Sequence, residues 1–161
     1  MAVEIFLKLD GCNGEAIASG HENEIDVIGW HWGVNNQGSA HMGGGAGTGK
    51  ASFHDLTVTK YVDLATTTIL SNCSKGKHFS TATLTARKVG GDKPLEYLTI
   101  TMTEVFISGV QHGGSLGDER TTENVTLNFE KVKVEYKPQT ATGGGGGDTP
   151  FNWDIRKNEA A

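Results

Sequence analysis

Seven residues, Gly44 to Lys50 within "HMGGGAGTGKAS", spell G-x-x-x-x-G-K, all but the last letter of a loop that wraps phosphates. A working loop of this kind follows a buried strand and opens a helix whose first amides hold the anion. It also places Ser or Thr directly after the Lys to bind magnesium. Here Ala51 follows Lys50, and "SFHDLTVTKYVD" alternates like a strand. With neither helix nor hydroxyl expected, the segment reads as a glycine loop and not as a nucleotide site. A second set, "GGSLG" at Gly113 to Gly117, matches the G-x-S-x-G nucleophile elbow, which needs a parallel α/β sheet and a catalytic His after the Ser. The last His is His112, upstream of Ser115, so a solvent-facing turn is expected.

The six histidines, His21, His31, His41, His54, His78 and His112, form no i, i+4 pair and no short His-x-His pair, so no metal site is expected from their spacing. Cys12 and Cys73 lack zinc-ligand spacing and read as two free thiols, one in a loop and one in a helix. Glu22, Glu24 and Asp26 alternate with apolar neighbours and read as the solvated side of a strand. No catalytic residue and no cofactor is therefore expected.

The elements that position these groups are mostly strands. Val3, Ile5, Leu7 and Leu9 share one face of a first strand, and Ala82, Leu84 and Ala86 one face of another. The turn at Gly90 to Lys93 predicts a hairpin into a further strand. On that strand Leu98, Ile100, Met102 and Phe106 share one face, and Thr99, Thr101, Thr103, Val105 and Ile107 the other. Two strands change phase midway. Val125, Leu127 and Phe129 give way to Val132, Val134 and Tyr136, and Ile25 and Val27 to Ile28, Trp30 and Trp32. One slipped residue sends side chains to the opposite face, so each slip predicts a bulge or a bend.

"LATTTILSNCSKGK" predicts a helix of two to three turns, with Thr66 as N-cap, Ile69, Leu70 and Cys73 on its apolar side and Gly76 as its stop. Phe151, Trp153 and Ile155 predict a closing strand. Eight or so strands and a single helix make an all-β barrel or sandwich. Trp30 and Trp32 point into its core, each removing about 150–250 Å² from water, and His31 faces the other way.

The chain has 161 residues, enough for one domain spanning 1–161. A net charge of -5 with no cluster of Lys or Arg argues against nucleic acid as a partner. The N-terminal stretch "MAVEIFLKLDGCNG" alternates instead of running apolar, so neither a secretory signal nor a membrane span is expected.

Long stretches of the sequence resemble the haemolysin-coregulated protein (Hcp) family of the bacterial type VI secretion system. They are "MAVEIFLKLDG", "HENEIDVIGWHWG", "HMGGGAGTGKASFHDLTVTKYVD", "CSKGKH", "TLTARKVGG", "EYLTITMTEV", "TENVTLNFEKVKVEY" and "WDIRKN", in order along the chain. The resemblance implies a two-sheet β-barrel with one short flanking helix and an extended Gly-rich loop. It implies a structural, non-enzymatic tube subunit that forms homohexameric rings and stacks them. Its partners would be copies of itself, type VI sheath and spike components, and small effector proteins held in the ring lumen. It further implies that the protein waits in the cytoplasm and is then secreted or delivered into a target cell, without membrane insertion. Ring stacking would fall to Gly43, Gly44, Gly45, Ala46, Gly47, Thr48, Gly49 and Lys50, and His31 would face the lumen. Two departures from relatives stand out: His31 replaces a small polar residue, and Thr67 replaces a Pro that pre-sets the helix start. The alternative reading of the residues is a monomeric β-barrel holding a small apolar molecule.

Overall fold

A computed structural model describes residues 2–38, 49–141 and 145–161. Among these the fold is all-β with one helix. In chain order the strands are β1 (Ala2–Leu9), β2 (Ile25–Asp26), β3 (Gly29–His31), β4 (Val34–Asn35), β5 (Ser52–Phe53) and β6 (Leu56–Tyr61). Helix α1 (Thr66–Lys75) follows, then β7 (Phe79–Val89), β8 (Leu95–Gly113), β9 (Thr122–Tyr136), β10 (Thr149–Asp154) and β11 (Glu159–Ala160). The expected strand number falls short because several pieces are only two or three residues long.

Nine strands form one antiparallel sheet in the order β11-β10-β9-β8-β7-β1-β2, with β6 paired to β9 and β3 paired to β6. Strands β4 and β5 make a separate two-stranded ribbon. The expected two-sheet barrel is thus corrected in detail, because the main sheet curls round and its ends meet on a kinked segment instead of a closed ladder. Ile25 pairs with Leu7 and Val27 N–H donates to Ile5 O (3.0 Å), whereas Ile28 N–H donates to Thr59 O (2.8 Å) and Trp30 pairs with Val58. The kink sits at the predicted phase slip: Val27 is buried and Ile28 is 48% exposed.

The slip in β9 is also present, with Val125, Leu127 and Phe129 buried on one phase and Val132 on the next. Strand β8 slips opposite it. Glu104, at φ 53, separates buried Met102 from buried Val105 and Ile107. The expectation that Phe106 lies with Met102, and Val105 and Ile107 on the other side, is therefore wrong. A left-handed residue without glycine gave no sign of itself in the sequence. Phe106 instead packs outside, 5.5 Å from the His78 ring.

The hairpin between β7 and β8 forms as predicted, and Ala82, Leu84 and Ala86 are buried. One contiguous core joins Leu7, Leu9, Leu56, Val58, Leu84, Ile100, Met102, Ile107, Val125 and Leu127, with Trp30, Trp32 and Trp153 packed against it. Helix α1 buries Ile69 and stops at Gly76, whose φ of 64 suits a residue without Cβ. Its N-cap is Ala65, not Thr66, because the Thr66 hydroxyl is engaged elsewhere, as described below.

Candidate assembly surface

The glycine stretch lies in the chain between β4 and β5, and the residues around this ribbon brace it. Trp32 Nε1 donates to His54 O (2.9 Å), and the His54 ring meets Asn35 Nδ2 (2.9 Å). Phe53 lies 6.1 Å from both Trp32 and Trp153, and Phe151 stacks on Trp153 at 6.3 Å. These rings give a stiff base to two strands too short to hold themselves. Of the predicted stacking residues, Gly43, Gly44, Gly45, Ala46, Gly47 and Thr48 lie outside the described residues. Gly49 and Lys50 are at the loop's returning end, where Gly49 N–H donates to Gln37 O (3.4 Å) and Lys50 is exposed. Lys50 leads into β5 and not into a helix.

His31 is exposed at the end of β3, on the side away from Trp30 and Trp32. Ladder partners share a face, so His31 stands beside Thr57, and Thr57 beside Thr126; Thr59 stands beside Asn124, and Asn124 beside Gln111. Thr59 Oγ1 donates to Asn124 Oδ1 (2.7 Å), and the Thr57 and Thr126 hydroxyls meet at 3.3 Å. This is a polar face of hydroxyls and amides, fixed by its own hydrogen bonds, with His31 at its margin and the Asp55 carboxylate beside it, accepting from Asn128 Nδ2 (2.8 Å) and Ser108 Oγ (2.7 Å).

A second exposed region mixes an apolar side chain with charged ones. Ile17 is 93% exposed on the loop between β1 and β2, and it borders two hollows, of about 410 and 290 Å³. The first is lined partly by Val3, Ile5 and Asp26, the second by Glu15, Asp26, Asp63 and Arg120. Asp26 belongs to both. Partial burial, then the nearby Asp63 and Glu4 charges, push its carboxyl above the usual range.

The motifs that could have carried chemistry are not assembled. Ser115 sits in an exposed turn with its hydroxyl donating to Asp118 Oδ2 (2.7 Å). His78 lies near Glu104 (3.9 Å), and His112 bonds Glu123 Oε2 (2.7 Å). His41 is outside the described residues. Among the described residues no three His, Cys, Asp or Glu side chains converge as a metal site. Cys12 and Cys73 are free thiols, and burial, then the Asp63 charge, push the Cys12 thiol up.

Two charged groups escaped the sequence reading. Lys60 and Glu123 are completely buried and joined by an ion pair, with Asp63 Oδ1 2.9 Å from Lys60 Nζ. The Thr66 hydroxyl donates to Glu123 Oε1 (3.1 Å) and accepts the Asp63 N–H (3.0 Å). A signal existed: Lys60 is in phase with Leu56 and Val58, and Glu123 with Val125 and Leu127, so both charges occupy core positions of their strands. Glu24 was also misplaced, since it is largely buried and bonds His21 instead of facing water.

The family model "Type VI secretion system effector, Hcp" matches residues 6–136. Protein hcp1 of Pseudomonas aeruginosa is 49% identical over 162 residues, covering all of both chains. Hcp1 from Salmonella typhimurium has a solved structure with a TM-score of 0.81 at 35% identity, covering 100% of each chain. A type VI secretion system effector from Yersinia pestis gives 0.76 at 35% identity, covering 93% of this chain and 98% of its own.

Proposed function

This chain belongs to the Hcp family of type VI secretion proteins, and from that premise we propose that it is the structural subunit of a secretion tube. Six copies close into a ring, the rings stack into a hollow conduit, and the protein leaves the cell with that conduit. Small effectors sit in the lumen before export. The protein acts by assembly and enclosure, with no bond-making step.

The observation that carries this reading is the 49% identity to Protein hcp1 over 162 residues, covering all of both chains. Two surfaces support it. The half-exposed Thr and Asn face beside His31 is polar, as suits the wall of a passage, and exposed Ile17 suits burial against a neighbouring copy. Contact between unlike surfaces is the kind that closes a ring. The alternative small-molecule barrel is disfavoured because the interior is filled by Leu7, Leu56, Val58, Met102, Ile107 and Leu127, all at 0% exposure.

Negative-stain micrographs of the purified protein, with its mass in solution, test the reading. Rings of six copies are expected. A protein that stays monomeric at all concentrations and salt conditions overturns it.

A further inference from the structure

His21 lies on the loop between β1 and β2, with only 6% of its side chain exposed. Its ring stacks on Phe6 at 4.4 Å and an interplanar angle of 6°. Both ring nitrogens face carboxylates: Nδ1 is 2.8 Å from Glu24 Oε2, and Nε2 is 2.9 Å from Glu96 Oε1. Glu24 belongs to the same loop, whereas Glu96 is on β8, 75 residues away. An ionised carboxylate can only accept, and a neutral imidazole has one N–H to give. A neutral His21 would turn a lone pair on one of its two partners. Stacked and enclosed, it has no room to turn that nitrogen to water.

The surrounding charges point the same way. Arg87 on β7 lies over the Phe6 ring at 5.0 Å, donates from Nε to Glu4 (2.7 Å) and from Nη1 to Ser19 O (2.9 Å). Glu22 accepts from Gly20 N–H (3.0 Å), and its carboxyl is held low by the backbone amides of Glu22 and Gly20, with smaller help from His21 and Arg87. Four carboxylates, Glu4, Glu22, Glu24 and Glu96, thus surround Arg87 and His21. Without a proton on His21, Arg87 faces them alone.

We propose that His21 is a proton-operated clasp that fastens the Gly11–Glu24 loop to β8. It closes when the ring carries both protons and loosens when one is lost. Donating to both carboxylates at once needs the doubly protonated ring, so the clasp tightens on mild acidification. What it controls is how firmly the Ile17 surface is presented. The clasp does not depend on the tube reading.

Amide hydrogen exchange of residues 11–24 at pH 8 and pH 5.5, corrected for intrinsic rates, tests the clasp on the full chain. All variants are compared in one assembly state set by solution mass, so a failure here is distinct from the absence of rings in micrographs. In the unaltered protein, loop protection is expected to rise by about tenfold at the lower pH, the scale of one charge-assisted hydrogen bond. His21→Gln should abolish that dependence. Glu96→Gln changes a half-exposed partner and so guards against misfolding; its amide can donate to a neutral ring, and protection should become nearly equal at the two pH values. Equal protection at both pH values in the unaltered protein, or an unchanged pH dependence in Glu96→Gln, overturns the proposal.

Discussion

Lys60 and Glu123 stand directly opposite each other in the β6–β9 ladder, and their charged ends meet where no water reaches. The pair ties the end of β6 to the start of β9, and through Thr66 to the first residue of α1.

Removing the lysine leaves the Glu123 and Asp63 carboxylates buried without their shared cation. Lys60→Met should cost about 3–5 kcal/mol in denaturant unfolding. The double change Lys60→Met with Glu123→Leu should regain part of that, since only the Asp63 carboxylate is then left without its lysine. A double variant no more stable than the single one would show that pairing is not what the lysine supplies.

Gly14 offers a backbone test. A Cβ there would meet Glu24 C and Ile25 Cα, both at 2.8 Å, and backbone cannot swing aside as a side chain can. Gly14→Ala should destabilise by about 1–3 kcal/mol. Gly29, with open space around the same position, is the control, and Gly29→Ala should be close to neutral on thermal unfolding.

Asp26 predicts a pH effect of definite sign. Burial, Asp63 and Glu4 raise its carboxyl, so the folded chain takes up this proton before the unfolded one does as pH falls. Its ionised form therefore detracts from stability near neutrality, and the penalty fades in acid. Asp26→Asn should raise the melting temperature slightly at pH 7 and lose that advantage towards pH 4. A lower melting temperature at pH 7 would contradict the assignment.

Much of the fold was legible because strand burial has a period of two. The Val125 to Val132 phase change named a real bend, and Gly76 named the end of α1. What stayed hidden depends on partners far apart in the chain. Nothing near His21 announces Glu96, and nothing near Thr66 announces Glu123, whose bond takes the hydroxyl that capping would have used. Glu104 gave no signal for another reason: a Glu residue does not announce a left-handed backbone, which usually falls to Gly or Asn.

His31 carries the lumen assignment. His31→Glu should leave rings intact, because the side chain is exposed and makes no contact with the core, and it should change which effectors co-purify. Loss of rings, seen as a fall in solution mass, would place this residue between subunits instead.

Lys50 and Ser115 separate scaffolding from catalysis. Neither Lys50→Ala nor Ser115→Ala should remove any nucleotide or ester turnover from the purified protein. Lys50→Ala should at most shorten the stacks seen in micrographs. Measurable turnover that disappears with either change would contradict a purely structural role.

Strands β8 and β9 stay in register from Leu98 opposite Tyr136 to Gly113 opposite Thr122, interrupted by one shift between Ile107 and Gly109. Such a ribbon is a spar. A push along its length is shared by every rung at once, whereas a sideways pull opens the rungs one after another. Along this ladder, load in line with the strands is therefore borne better than load across them.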